Sequence, residues 1–268
     1  MLRQFATAAL ALSASAILAQ TPAAPPAPRP KFEAFEVATI KPVENDAKSG
    51  RYLIMQGTNR FIGKNYTVKL LIAAAYNLSP KTISGGPPWV ESDHYDIVAV
   101  TPGDLRPNHD EQMSMLRALL ADRFKLTFHR EQKDFSIYQL ELAKGGSKLK
   151  PSIMAPDDPP QLISTVYPQR IVLPARNVSM SDLAILMQRA MLDRPVIDKT
   201  GLSGKFDFDL EWAPDETQFG GEVPVASADA PSPPLFIALQ QQLGLKLEAT
   251  RGPVEALIVD TVERPSAN

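Results

Sequence analysis

The chain has 268 residues, 44% of them apolar, with 28 basic and 30 acidic side chains and no cysteine. A charge balance this close to neutral supplies no basic field, so nucleic acid is not an expected partner. Without thiols there is no disulfide framework, no cysteine nucleophile and no cysteine metal site, and the core alone must hold the fold.

The chain opens as an export signal does. Arg3 carries one positive charge, and residues 5–19 form an apolar run too short to cross a bilayer comfortably. Residues 1–19 are therefore expected to be a signal peptide, with no membrane span after its cleavage. The Pro/Ala-rich stretch "TPAAPPAPRP" makes residues 20–31 a stiff tether that buries nothing. Residues 32–150 are expected to form a first α/β half-unit, 151–162 a linker and 163–268 a second half-unit. A mobile loop over 213–232 should interrupt the second half, since it is rich in Pro, Asp, Glu and Gly.

Within the first half, "FEVATIKP" reads as a strand, and "RYLIMQ" with "RFIGKN" as a hairpin. From there a single order of features occurs twice. A β-like run ends at Asn65-Tyr66-Thr67 in one half and at Asn177-Val178-Ser179 in the other. A helix follows each, capped by Thr67 or by Ser179, the latter with Asp182 placed for a capping box. In the second helix Leu183, Leu186, Met187 and Ala190 share a face. Gly-rich turns then lead to strands centred on Tyr95-Asp96-Ile97 and Phe206-Asp207-Phe208. A second helix comes next, capped by Asn108 with Glu111 in one half and by Ser232 in the other, where Gly244 stops it. Two closing strands are expected in each half, the first near 124–129 and 245–248, the second near Tyr138 and Ile258. The fold class is α+β: two tandem β-α-β-β-α-β-like half-units packed as a pseudo-repeat, with helices against mainly antiparallel sheet.

Lys199-Thr200-Gly201 matches the active-site strand motif of serine β-lactamases. The partner Ser-x-x-Lys motif would have to be Ser147 to Lys150, which Pro151 follows at once, so no helix can place that lysine beside the serine. Gly201 and Gly204 fit a turn instead. His94, His109 and His129 lack metal-ligand spacing, so no metal and no cofactor is expected. The candidate binding surface comprises Trp89, His94, Asp96, Lys199 and Asp207, with no catalytic residue assigned.

Six stretches carry a family resemblance in order: "FEVATIKP", "ISGGPPWVESDHYDIVA", "MLRALLADRFKLTFHRE", "YQLELAKGGSKLK", "RPVIDKTGLSGKFDFDLEW" and "LQQQLGLKLEATRGPVEALIVDTVERPSAN". They resemble a soil-associated family of exported bacterial proteins of acidobacterial type, defined by a domain of unknown function. The half-units are also similar to the short N-terminal domains of secretins and TonB-dependent receptors. The resemblance implies an extracytoplasmic sensing or binding part and assigns no catalytic residues. The reading is thus a non-enzymatic binding or sensing module of the periplasm or extracellular space. It would engage an envelope protein or peptide, or an extracellular glycan, through the groove between halves, the Trp89 turn or an exposed sheet edge. The alternative is a hydrolase acting on an extracellular polymer through paired carboxylates such as Asp96, Asp207 and Asp209. A third is a self-assembling surface protein.

Overall fold

The structure, a computed structural model, describes residues 30–45, 50–221 and 223–265. The expected signal peptide, and all of the expected tether except Pro30 and Lys31, lie outside these residues. The first half supplies strands β1 (Val37–Val43), β2 (Tyr52–Gln56) and β3 (Arg60–Thr67), helix α1 (Val68–Tyr76), strand β4 (Ile83–Gly85), the short helix α2 (Trp89–Ser92), strand β5 (His94–Val100) and helix α3 (His109–Arg123). Strands β1, β5, β3 and β2 pair in that order as an antiparallel sheet. Alternation turns Phe61, Ile97 and Ala99 inward. Their buried neighbours include Leu71 of α1 and Leu116 of α3.

The helices begin where their caps allow. The Thr67 hydroxyl accepts from the Leu70 N–H, and Asn108 and Glu111 close a reciprocal capping box. Helix α1 ends at Asn77, whose left-handed backbone (φ 56°) returns two N–H···O bonds to the last turn.

The rest of the chain gives β6 (Thr127–Leu142), β7 (Lys150–Pro151), β8 (Gln161–Leu162), β9 (Thr165–Tyr167), β10 (Arg170–Val178), α4 (Met180–Leu186), β11 (Val196–Asp198), β12 (Phe206–Trp212), α5 (Leu235–Ala238) and β13 (Leu245–Thr261). A second antiparallel sheet runs β7-β12-β10-β8, with β9 also on β10. A third sheet runs β11-β6-β13-β4. Its centre is the long antiparallel pair of β6 and β13, which runs from Leu245↔Leu142 to Thr261↔Thr127 with one register shift between Val259 and Thr261. Each outer strand is parallel and comes from the other half of the chain: β4 joins β13, and β11 joins β6. The class is thus mixed α+β with mainly antiparallel sheet.

This third sheet ties the two cores together. Leu257 and Val259 of β13 are buried in the first core, and Leu140 of β6 is buried in the second. Each such side chain stabilises the half it enters by about 1.5–3 kcal/mol.

Four expectations are corrected. The two closing strands per half are one long strand each, because β6 and β13 pair along their whole length. The helix expected to be capped by Ser232 starts at Leu235, since Ser232 donates its hydroxyl to Glu211 and consecutive prolines carry the chain into the first turn. The buried face of α4 shifts from Ala190 to Met191, because the helix widens into a π turn over Met187–Met191 and one turn then needs an extra residue. Helix α5 does the same over Leu239–Leu243. Finally, the linker includes strand residues: Pro151 belongs to β7 and Gln161–Leu162 form β8. In the 213–232 segment, Trp212 Nε1 donates to Gln218 at 2.7 Å, Gln218 donates to Asp215, and the Ala213 N–H donates to Pro233.

Candidate functional site

The five residues of the expected binding surface do not form one site. Trp89 is half-buried in α2, with the Arg264 guanidinium 4.9 Å from its ring centroid. Arg264 also donates twice to Asp93, at 3.0 and 2.9 Å. His94 starts β5, and its Nδ1 lies 3.3 Å from the Asn65 carbonyl. Lys199 is exposed, and its backbone N–H donates to Leu140. Beside it, Thr200 is buried and both its N–H and its hydroxyl donate to Asp198 Oδ1, at 2.9 and 2.8 Å. Those bonds build a turn, which accounts for Lys199-Thr200-Gly201 without catalysis.

Asp96 and Asp207 belong to different sheets but do the same thing. In β3 and in β10 the pairing register slips beside an asparagine, Asn65 or Asn177, held at φ 56°. The backbone N–H of Asn65 donates to Asp96 at 3.0 Å, and that of Asn177 donates to Asp207 at 2.9 Å. Asp96 also pairs with Lys64. The Asn177 N–H, followed by the Ser152 hydroxyl, holds the Asp207 carboxyl below the usual carboxylate range. A carboxyl held ionised in this way is no proton donor at neutral pH. The Asn177 side chain donates to the Ala155 and Asp158 carbonyls at 3.1 and 2.5 Å, fixing the linker to β10.

Among the described residues, two of the surface hollows bear on a site. The larger, about 580 Å³, is lined by the 213–234 segment and Gln241 alone. The smaller, about 250 Å³, lies between the halves. Leu78, Ser79 and Thr82 form one wall; Ser181, Gln188 and Ile197 face them. Gln188 spans the boundary: its Nε2 donates to the Asn77 carbonyl at 2.8 Å, and its Oε1 accepts from the Val196 N–H at 3.2 Å. Strand β11 contributes Val196, Ile197 and Asp198 to this groove and is the last strand of its sheet. The smaller groove is the better candidate, since both halves build it.

Sequence reasoning missed Gln188 and its neighbour Arg189. Arg189 is half-buried, and the loss of water around it pulls its guanidinium below its ordinary pKa. Its charge, after the effect of burial, also helps hold the His109 imidazole below its usual pKa. Nothing in "MQRAM" marks either residue, because their roles arise only when the halves meet.

Among the described residues no group of three or more His, Asp or Glu is placed to hold a metal, and no helix is long and apolar enough to cross a membrane. No curated protein and no solved structure matches the chain. A family match covers residues 69–262, from the first turn of α1 to the residue after β13. On that match the chain belongs to the family described as "Protein of unknown function (DUF3738)".

Proposed function

We propose that this chain is an exported, non-enzymatic binding or sensing module of the cell envelope or the extracellular space, and that its ligand enters the groove between the halves. The observation that carries the reading is the groove itself, about 250 Å³, with walls from both halves and Gln188 bridging them. That volume is below the range of whole small-molecule sites, so it suits one anchoring side chain or sugar ring of a longer ligand. The outer edge of β11 runs beside it, where an extended peptide could add as a strand while its anchor fills the groove. An envelope protein or peptide is therefore preferred over an extracellular glycan.

The halves are read here as two copies of one β-α-β-β-α-β-like unit. The paired Asn65–Asp96 and Asn177–Asp207 bonds, 31 and 30 residues apart in sequence, support this. Export is inferred from residues 1–19 and from the resemblance to exported proteins of soil bacteria.

The test is a pull-down from envelope and culture-supernatant fractions of the source cells, read by mass spectrometry, with wild type and Ser181→Arg. Ser181 is exposed on the groove wall, so an arginine there fills the space without disturbing the core. A partner captured by wild type and lost with Ser181→Arg is the expected result. Capture that Ser181→Arg leaves unchanged, or no capture at all, overturns the reading.

A further inference from the structure

The sheet of β1, β5, β3 and β2 has two faces of different character. Its inner face carries Phe61, Ile97 and Ala99 into the first core, with α1 and α3 over them. Strand pairing fixes what points the other way. An apolar stripe crosses the outer face diagonally: Val37 on β1, Val100 and Val98 on β5, Ile62 on β3, and Ile54 and Tyr52 on β2. Val37, Ile54 and Tyr52 are 62%, 46% and 40% exposed, and none of the six belongs to either core.

β-Branched side chains suit any strand, so the stripe needs a comparison before it carries meaning. The second sheet supplies one. Counted from the Asn–Asp bonds, Ile62↔Val98 matches Pro174↔Asp209, and Arg60↔Val100 matches Val172↔Glu211. Asp209 and Glu211 pair with Arg176 and Arg170 on a face suited to water. The first sheet has valines where the second has those acids, so pairing of these strands does not require an apolar outer face. A contiguous exposed apolar strip on one sheet alone is the mark of a docking surface.

The borders of the stripe are basic. Arg60 lies on one side of it, and Lys41 and Lys64 on the other. Among the described residues of this face, Asp96, between the two lysines, is the one acid. The chain as a whole carries a net charge of −2, so the excess of cations belongs to this face. Three cations against one carboxylate repel a second copy laid face to face, and they match a partner with acids beside its apolar surface. From Val37 to Tyr52 the stripe crosses the whole sheet, a diagonal of about 20 Å. A helix of about 13 residues has that length.

We propose that the outer face of this sheet docks an acidic amphipathic helix of a partner protein. The helix lays its apolar side on Val98, Val100 and Ile62 and sets its flanking carboxylates against Arg60 and Lys41. Helices already cover the inner face, so the docked helix completes a third layer. This goes beyond the groove ligand proposed above. The face is built by the first half alone, and Ser181→Arg, which reports on the groove, leaves it untouched.

The experiment is fluorescence anisotropy of a labelled helical peptide of about five turns, with a leucine stripe flanked on both sides by glutamate. The purified full chain is titrated into it at low and at physiological salt. The control peptide has lysine in place of every glutamate. Wild type, Ser181→Arg and the double variant Val98→Asp with Val100→Glu are compared, each after a cooperative thermal melt confirms folding. The double variant copies the second sheet. Arg60 stands opposite position 100, and Lys64 stands to position 98 as Arg176 does to Asp209, so both new acids meet a base already in place. The expected result is saturable one-to-one binding by wild type and by Ser181→Arg, weakened by salt, with no binding of the lysine peptide. The double variant should bind at least about tenfold more weakly, because its acids face the glutamates of the peptide. If it does not fold, Ile54→Glu on the edge strand β2 takes its place. No binding by wild type, equal binding by the acidic variant, equal binding of the lysine peptide, or loss of binding in Ser181→Arg overturns the proposal. So does a wild-type dimer in analytical ultracentrifugation that the acidic variant abolishes, since the face then takes a second copy.

Discussion

The backbone N–H of Asn177 donates to the Asp207 carboxylate across a slip in strand register, at 2.9 Å. Asn177 is fully buried and left-handed, so no solvent is at hand to replace that acceptor. Asp207→Ala should therefore destabilise the chain by about 1–3 kcal/mol, and Asp207→Asn, which keeps an acceptor, by less. Urea unfolding at neutral pH measures both. The folded-state pKa is depressed, so the stabilisation is present above the ordinary carboxyl value and lost as pH falls through the folded value. The gap between wild type and Asp207→Ala should accordingly close below about pH 4.

Each half should fail to fold alone. Strand β4 finds its partner only in β13, and β11 only in β6. Residues 30–150 and 151–268 expressed separately should give aggregated or unstructured chains, while co-expression restores one soluble species. Size-exclusion chromatography and circular dichroism decide it; a cooperative melt for either half alone would contradict the exchange of strands.

Acidic neighbours should give His129 a pH signature. Its Nε2 lies 3.1 Å from Glu131 and its Nδ1 2.7 Å from Asp260, and these carboxylates, Glu131 first, raise the imidazole pKa. A raised folded-state value means a contribution fully present below the unfolded pKa of about 6.5 and lost as pH climbs through the folded value. The Tm difference between wild type and His129→Gln should be larger at about pH 5.5 than at about pH 9. Salt should reduce it, because the cluster is exposed.

Arg264→Ala should uncover Trp89. The two tryptophans then report separately: Trp212 is fully buried with its indole N–H on Gln218, whereas Trp89 is covered on one face by Arg264. The expected outcome is a red-shifted fluorescence component open to acrylamide, with stability changed by no more than about 1 kcal/mol. An unchanged spectrum would mean that Arg264 does not shield the ring.

Helix starts at Thr67, Asn108 and Ser179 were legible in the sequence because a cap is a local device, satisfied by residues three apart. So was β12, whose four inward side chains alternate with three outward acids. The unity of β6 was not legible. Residues 129–134 are exposed on both faces, so the alternation that marks a strand vanishes there, and its charged run looks like a connection. The sequence spacing of Asp96 and Asp207 from their asparagines pointed to an equivalent pair, and the bonds explain that spacing as backbone support. Gln188 and Arg189 sit in an ordinary helical pattern. Their meaning depends on what the other half of the chain brings to them, which no local period records.

The central pair of β6 and β13 also sets an order in time. A ribosome completes β6 at Leu142, yet its antiparallel partner begins only at Leu245 and ends at Thr261. Until then a strand of 16 residues has an uncovered edge, the surface on which nascent chains stick to one another. If the chain is exported, the same delay keeps it threadable through a translocon, because the middle of the molecule cannot lock before its end has been made. A stop codon anywhere before β13 would then leave both cores open rather than simply shortening one of them.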